Sequence, residues 1–466
     1  MILPQSAIEI AYLFTGATFI FAIRRLSSPA TASQGNRIAA FGMLVAIVFT
    51  FFSLKVLNLP EILIAMLVGA IVGAVAARKV RMTAMPQMVA LFNGMGGGAA
   101  ALISAQEYNS YLTLSKHISS AELTTILLST LIGSISFTGS MIAFAKLQEI
   151  MTGRPITYPG QHFVNMIIFA AILAMGGYLY SFSTPNLVWY GLFGAAAGLF
   201  GILMVIPIGG ADMPVVISLL NSFTGLAAAI TGFVLDNYVL IIAGALVGAS
   251  GTILTRLMSK AMNRSLFNIM FGAFGARVEQ VATDTAEGRT VRSGTPEDVA
   301  TLLAFSRSVI IVPGYGLAVA RAQQELKELA DLLERRGVQV RYAIHPVAGR
   351  MPGHMNVLLA EVNVPYSQLY EMDDINPEFS RTDVALVVGA NDVTNPAART
   401  KKDSPLYGMP ILNVDQAANI VVLKRSMNPG FAGIDNELFY NPKTIMLFGD
   451  AKDSLSKLVA EIKQIQ

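Results

Sequence analysis

Ser308-Val-Ile-Ile-Val-Pro-Gly-Tyr-Gly-Leu-Ala-Val-Ala320 decides the fold of the C-terminal part of this chain. A β-branched apolar run stops at Pro313-Gly314, turns through Tyr315-Gly316 and opens into a helix-forming run from Leu317 to Glu334. That order is the strand, glycine turn and helix of a dinucleotide site. Gly314 permits the tight turn, Gly316 lets backbone approach a pyrophosphate, and small Ala318 and Ala320 let the helix lie on the sheet. The helix N-terminus then faces the phosphates. An ordinary glycine turn in an α/β unit has the same spacing, so the weight of this stretch depends on what surrounds it.

Downstream, strand and helix patterns alternate: strands at 308–313, 338–344, 384–389, 409–413, 419–424 and 444–448, helices at 317–335, 354–361 and 451–464. Thr295-Pro-Glu-Asp298 in front of them reads as an N-cap with proline at the first helical position and acids in the first turn. The pattern predicts a doubly wound parallel sheet, Rossmann-like, of one domain's size. Ligands of such sheets bind in the loops that follow the strands. His345-Pro-Val-Ala-Gly-Arg-Met-Pro-Gly353 is one such loop, in which Arg350 offers a phosphate fork. Gly389-Ala-Asn-Asp-Val-Thr-Asn-Pro396 is a second, carrying Asn391 and Asp392, and Lys424-Arg-Ser-Met-Asn-Pro-Gly-Phe431 is a third. An NAD site expects an acid about twenty residues past the glycines to hold the ribose 2′-hydroxyl, and the second strand offers Arg341-Tyr342 instead. Lys424, Arg425 and Ser426 suit a 2′-phosphate, which selects NADP; surface ion pairing is the other reading of the Lys-Arg pair.

Upstream the solvent changes. The chain has 466 residues, 53% hydrophobic and 14% charged, with a mean hydropathy of +0.56, and most of its charge lies after Arg277. Nine apolar runs have span length, at roughly 5–23, 38–57, 60–77, 85–105, 121–146, 162–181, 186–207, 213–235 and 237–258. The first has Arg24-Arg25 behind it and no basic residues before it, so it reads as a retained span and not a secretory signal. With the first end outside, basic residues such as Arg78, Lys79, Lys146, Arg256 and Lys260 share one side, and only Lys55 and Lys116 fall on the other. That asymmetry predicts an N-terminus outside and a cytoplasmic C-terminal domain. The expected domains are a transmembrane domain at 1–265, a hinge at 266–294 and the nucleotide domain at 295–466. Zero cysteines exclude disulfides and thiolate chemistry, and His117, His162, His345 and His354 show no metal-ligand spacing, so no metal is expected. A net charge of +3 without a basic patch does not point to nucleic acid.

Glycines in the spans, among them Gly94, Gly96, Gly97 and Gly98, and Gly244-x-x-x-Gly248, read as helix-packing positions. Polar residues at depth are costly unless paired or watered. Helices starting at Pro86 and Pro214 put Asn93 and Asn221 both roughly 10 Å inside. Ser222, Thr224, Ser134, Ser136, Thr138 and Ser140 add hydroxyls. A shared water chain and plain interhelical hydrogen bonding both fit these residues. Asp212, in Gly209-Gly-Ala-Asp-Met-Pro214, reads either as a helix cap or as a carboxylate that passes a proton arriving from Asn221.

With these loops in view the chain closely resembles the β subunit of proton-translocating NAD(P) transhydrogenases. The strings that carry the resemblance are Gly-Gly-Ala-Asp-Met-Pro-Val-Val at 209–216, Ala-Met-Asn-Arg-Ser at 261–265, Pro-Gly-Tyr-Gly at 313–316, the run from His345 to Glu361, Gly-Ala-Asn-Asp at 389–392, Lys-Arg-Ser-Met-Asn at 424–428 and Leu-Phe-Gly-Asp-Ala-Lys at 447–452. The resemblance implies an enzyme, active only with an NAD-binding α subunit, in which hydride passes between NAD(H) on that partner and NADP(H) on this chain. A proton crosses the membrane with it. It also implies a bacterial inner-membrane hetero-oligomer with two β copies, and NADP held in reversed orientation on the sheet. Carried over position by position, the nucleotide would touch Tyr315, then Val347, Ala348, Gly349, Arg350, Met351 and Pro352, then Asn391, Asp392, Val393, Thr394 and Asn395. Further contacts would come from Gly408 and Met409, from Lys424, Arg425, Ser426, Met427, Asn428, Pro429, Gly430 and Phe431, and from Asp450 and Ala451. Asp392 would lie near the nicotinamide end, and Asp212 and Asn221 match proton-path positions. Many members of the family carry histidine where this chain has Asn93 and tyrosine where it has Phe431. Asn93 does not titrate, so a water wire or Asp212 has to take the protonatable role.

Only one dinucleotide fingerprint occurs in the chain. Hydride exchange needs two cofactors face to face, so the second must come from another subunit. A different class of function, a channel or transporter gated by the nucleotide domain, keeps the same two-part architecture. It is weakened by the absence of an obvious midplane substrate site with broken helices.

Overall fold

Each apolar run expected to span a membrane is helical over nearly all of its described residues; 54–57, the end of the second run, lie outside them. The structure is a computed structural model and describes residues 5–53, 59–80, 84–114, 118–152, 155–181, 186–209, 212–262, 290–350, 353–402, 404, 406–430 and 432–465. Among them nine helices are long and apolar enough to cross a membrane: α1 (Gln5–Leu26), α2 (Pro29–Ser53), α3 (Leu59–Lys79), α4 (Met85–Thr113), α5 (Ser120–Leu147), α6 (Gln161–Ser181), α7 (Leu187–Val205), α8 (Met213–Val234) and α9 (Tyr238–Ala261). Local chemistry sets several ends. Pro86 occupies the first turn of α4, where its missing N–H is not needed. At α5 the Ser119 hydroxyl accepts from Glu122 N at 3.2 Å, while the Glu122 carboxylate accepts from Ser119 N at 2.9 Å. Asn186 caps α7 by accepting from Val188 N and Trp189 N. α4 continues past the apolar run to Thr113, because Gln106, Glu107 and Tyr108 extend a helix even where hydropathy falls.

Glycine lets these helices meet backbone to backbone. A Cβ on Gly133 of α5 would lie 2.7 Å from the Gly97 carbonyl oxygen of α4. On α9, a Cβ on Gly244 would lie 2.3 Å from Ala229 N of α8, so the small-xxx-small pair packs α9 on α8 as its spacing predicts.

The other compact unit carries the sheet. Its elements are α10 (Pro296–Ala304), β1 (Ser308–Pro313), α11 (Tyr315–Ala320), α12 (Gln323–Arg335), β2 (Gln339–Ile344), α13 (His354–Glu361), β3 (Leu369–Glu371), α14 (Met372–Ile375), β4 (Val384–Val388), α15 (Ala397–Thr400), β5 (Asn419–Lys424), β6 (Thr444–Phe448) and α16 (Ala451–Gln464). Thr295 and Asp298 form the reciprocal cap that starts α10. All pairings are parallel, in the order β3-β2-β1-β4-β5-β6. Alternation along β1 sorts the core. Val309 and Ile311 pack with Leu303, Leu326, Leu333 and Leu458 on one face, and Ile310 and Val312 with Ile375, Phe379, Leu412 and Phe439 on the other. Helical and irregular segments cover both faces, which is why the central strands are apolar throughout. Arg292 and Gly294, in the stretch read as hinge, bond to Met446 of β6.

Two expectations are corrected, and one strand is present that was not expected. The run 409–413 is not a strand. Pro410 has no N–H to give a ladder, and Asn376 takes the neighbouring backbone groups, donating to Ile411 O at 3.0 Å and accepting from Asn413 N at 2.9 Å. The helix expected over 317–335 is two helices, broken where Arg321 adopts φ 52°, a left-handed turn with no glycine to mark it. The edge strand β3 has only three residues and no apolar run of its own, and it forms because β2 templates it.

Candidate functional site

The strand order puts β1 beside β4, with the chain leaving in opposite directions from the two. Their loops therefore border the crevice where such sheets bind ligands. The loops are tied backbone to backbone: Gly314 N donates to Val388 O at 2.9 Å and Gly316 N to Gly389 O at 2.8 Å. A Cβ on Gly314 would come within 2.4 Å of Ala390 Cα, and Gly389, at φ +67°, lies against Gly316 Cα. The sequence assigns the close approach at Gly316 to a pyrophosphate. In the structure that approach is made to Gly389, and one of the first N–H groups of α11 is spent on it.

The loop after β2 folds around two buried histidines. His345 accepts from Val347 N at Nδ1 (3.3 Å) and pairs through Nε2 with Pro410 O at 2.9 Å. Ala348 N donates to His345 O. Gly349, at φ +113°, leaves no room for a side chain beside His354, whose Nδ1 accepts from Arg350 N at 3.0 Å. The Arg350 guanidinium stands 4.8 Å from the centre of the Tyr315 ring, which brings two expected contact residues together across loops. Met351 and Pro352 lie outside the described residues. Burial pushes both imidazoles down to about 4, and for His354 the Arg350 charge adds to the effect. The folded domain thus holds neutral His345 while an unfolded chain takes up a proton below the usual 6.5. Stability present above pH 6.5 is lost as pH falls toward 4, by on the order of 3 kcal/mol for His345 alone. Protection factors of β2 and β4 amides in the full chain, exchange rates referred to the intrinsic rate at each pH, are expected to fall over that range. His345→Gln is expected to flatten the response, and an unaltered pH dependence would contradict the assignment.

The loops after β4 and β5 interlock. Asp392 accepts from Ala432 N at 3.0 Å through Oδ2, and a Cβ on Gly430 would lie 2.4 Å from its Oδ1. Asn391 is held by Asn436, whose amide donates to both its carbonyl and side-chain oxygens at 3.0 Å. Thr394 and Asn395 are buried; Asn395 donates to Asp435 O at 3.0 Å, and Val393 O accepts from Leu412 N. Gly408 takes φ +81°, while Met409 is buried against Leu406 and Ile411. The Lys-Arg pair divides. The Lys424 ammonium turns into its own loop and donates to Ser426 O at 2.8 Å and to Asn428 O, above the Phe439 ring. Burial lowers its pKa, against the opposing pull of Asp392 and Asp435. Arg425 is exposed and makes no ion pair among the described residues. Met427 packs against the sheet, and Pro429 and Asn428 are exposed; Phe431 lies outside the described residues. Asp450 caps α16 by accepting from Lys452 N at 2.9 Å, with Ala451 buried behind it. Asn436 and His345 are the supports that sequence reasoning did not place. Asn436, capping the turn at Glu437–Tyr440, had only its capping chemistry as a signal.

In the helical unit, Asn93 is buried and donates to Ser140 Oγ at 2.9 Å and Ser136 Oγ at 3.4 Å. Ser136 bonds Thr224 and donates to Leu220 O, and Thr224 donates to Asn93 O. Thr224, and not Asn221, is the α8 residue that joins Asn93; Asn221, three residues earlier on α8, is half-buried. Ser222 and Thr138 serve interhelical packing, through Gly248 O and Gly198 O. Asp212 immediately precedes α8, and its carbonyl accepts from Val215 N.

A Rossmann-like parallel sheet on a chain with nine span-length helices among its described residues defines a membrane protein with a nucleotide-type domain. The family model described as NAD(P) transhydrogenase beta subunit matches residues 8–461. NAD(P) transhydrogenase subunit beta of Rhodospirillum rubrum, and the like-named protein of one strain of that species, are each 48% identical over 456 residues. Each alignment covers 96% of this chain and 97% of the relative. The chain belongs to the NAD(P) transhydrogenase beta subunit family. NAD(P)(H) is accordingly the nucleotide class it works with, and a beta subunit implies an alpha partner.

Proposed function

We propose that this chain is the NADP(H)-binding, proton-conducting subunit of a transhydrogenase that couples hydride transfer to proton translocation. The observation that carries the reading is Arg425, an exposed guanidinium with no ion pair among the described residues at the carboxyl end of β5, on a sheet whose second strand lacks the acid an NAD ribose needs. Arg425, with Ser426, holds the 2′-phosphate, while Lys424 shapes the loop that presents them. Tyr315, Arg350, the 391–395 loop and the 449–451 turn border the remainder of the dinucleotide, and Asp392 lies toward its reactive end. Bound NADP(H) supplies the hydride acceptor or donor, and NAD(H) on the alpha partner supplies the other. Asn93, Asn221 and Asp212 belong to the proton path, in which Asn93 orders water through Ser136 and Ser140 without titrating. In the same reading the domains are 1–265, 266–294 and 295–466. The N-terminus is outside a bacterial inner membrane, the nucleotide domain is cytoplasmic, and two beta copies assemble with alpha.

Hydride exchange between two nicotinamides is nearly balanced, whereas one charge crossing 100 mV contributes ~2.3 kcal/mol. Coupling requires the domain to hold the oxidised and reduced nucleotide differently in proton-loaded and unloaded states. In sealed vesicles holding both subunits, reduction of NADP+ by NADH is expected to respond to an uncoupler. A rate and end-point indifferent to the uncoupler would contradict the coupling.

A further inference from the structure

Three helices share one polar seam. α4 buries Asn93, Gly97, Ala100, Ser104 and Tyr108, spaced by four, three, four and four residues and so on one face. α5 meets it with Ser140, Ser136, Gly133 and Ser129, and α8 brings Thr224 and, two turns on, Thr231. At one level Asn93, Ser136, Ser140 and Thr224 bond one another. Further along, Ser129 and Thr231 pair at 2.8 Å, with Ser129 also directed at Ala100 O at 3.5 Å. Between the two levels the seam narrows to backbone: a Cβ on Gly97 would lie 3.0 Å from Gly133 O.

Of the three buried α4 atoms with no hydrogen-bond partner among the described residues, Gln87 Oε1 lies before this stretch of the seam and two lie on it, Asn93 Oδ1 and Ser104 Oγ. Ser104 is 0% exposed. Eleven positions, three helical turns, separate them, roughly 16 Å along the axis at 1.5 Å per residue. A buried polar group left unpaired costs about 1–3 kcal/mol, and such groups in proteins are ordinarily satisfied by water. One orphan lies on each side of the Gly97–Gly133 crossing.

We propose that Ser104, with Ser129 and Thr231, forms a second water-binding station on the proton path, separated from the Asn93 station by the Gly97–Gly133 crossing. The inference rests on the proton-conducting role given above. The Ser104 hydroxyl both accepts from and donates to water, so it passes a proton by reorientation without ionising. Past it on the same stripe, Tyr108 stacks on Tyr190 at 4.1 Å and accepts from Asn186 N at 2.9 Å, while Tyr190 pairs with Thr130. That aromatic pair bounds the station at its far end.

The chain has no cysteine, so Ser104→Cys introduces its single thiol, in a side chain of nearly the same size. In the assembled complex in vesicles, a small membrane-permeant methanethiosulfonate is expected to modify Ser104→Cys at least tenfold faster than Ala197→Cys, an equally buried position on α7, because thiolate forms only where water reaches. Ser104→Val and Ser104→Thr have the same shape and differ by one hydroxyl. Proton translocation is expected to fall at least tenfold in Val and to be retained in Thr, with the solvent deuterium isotope effect altered only in Val. A Ser104→Cys thiol as inert as Ala197→Cys overturns the station, and so does equal proton flux in Val and Thr. Should Val fail to assemble, the labelling ratio decides. A wild-type complex that transfers hydride without moving protons would instead overturn the proton-conducting role itself.

Discussion

Asp392→Asn is expected to lower hydride-transfer turnover in the assembled complex by about 10²-fold or more while leaving the fold intact. The side chain stands on the loop after β4, at the crevice beside β1, and its Oδ2 accepts from Ala432 N at 3.0 Å. Asparagine presents an oxygen of the same shape to that N–H, so the tie between the β4 and β5 loops survives. What is lost is the charge, which also opposes the burial-driven fall in the Lys424 pKa. In the proposed role, toward the reactive end of the nucleotide, a charge or proton-handling group contributes typically 10²–10⁴-fold to rate. Turnover and thermal unfolding measured on the same preparation separate the two effects. Turnover equal to wild type would remove Asp392 from the chemistry.

Arg425→Ala is expected to weaken NADPH binding by roughly ten- to a hundredfold, the range of a charge-assisted hydrogen bond of about 1.5–3 kcal/mol. NADH binding, lacking the 2′-phosphate, should not change. The loop itself should persist, because Lys424 and not Arg425 holds it, through Ser426 O and Asn428 O. The ratio of the two dissociation constants, measured on wild type and variant, reads this directly. An equal loss for both nucleotides would mean that Arg425 acts on the loop and not on the phosphate.

Much of this was legible in the residues because the signals were local. Long apolar runs give spans wherever they occur, and the β-branched runs at 308–313, 384–388 and 419–424 become central strands because both faces of the sheet are covered. Gly314 and the loops after β2, β4 and β5 could be placed by counting from strand ends. What the sequence hid was which partner each group chooses. Lys424 and Arg425 look equivalent in a string, yet one ammonium is consumed by its own loop and the neighbouring guanidinium is exposed. Gly316 looks reserved for a ligand, yet Gly389, more than seventy residues away, fills the space. Asn93 and Asn221 share a depth by arithmetic, but a helix also has a face, and Thr224 is the residue turned toward Asn93. Pro410 and Arg321 redirected the chain through a missing donor and a left-handed turn that no local pattern announced.

The most direct measurement is a calorimetric titration of the full detergent-solubilised chain, without its alpha partner, against NADP+, NADPH, NAD+ and NADH. Strong binding of the two phosphorylated nucleotides, with the other two far weaker, is the predicted result and makes this chain the NADP(H) subunit. Preferential binding of NAD(H), or binding of none of the four, would contradict it.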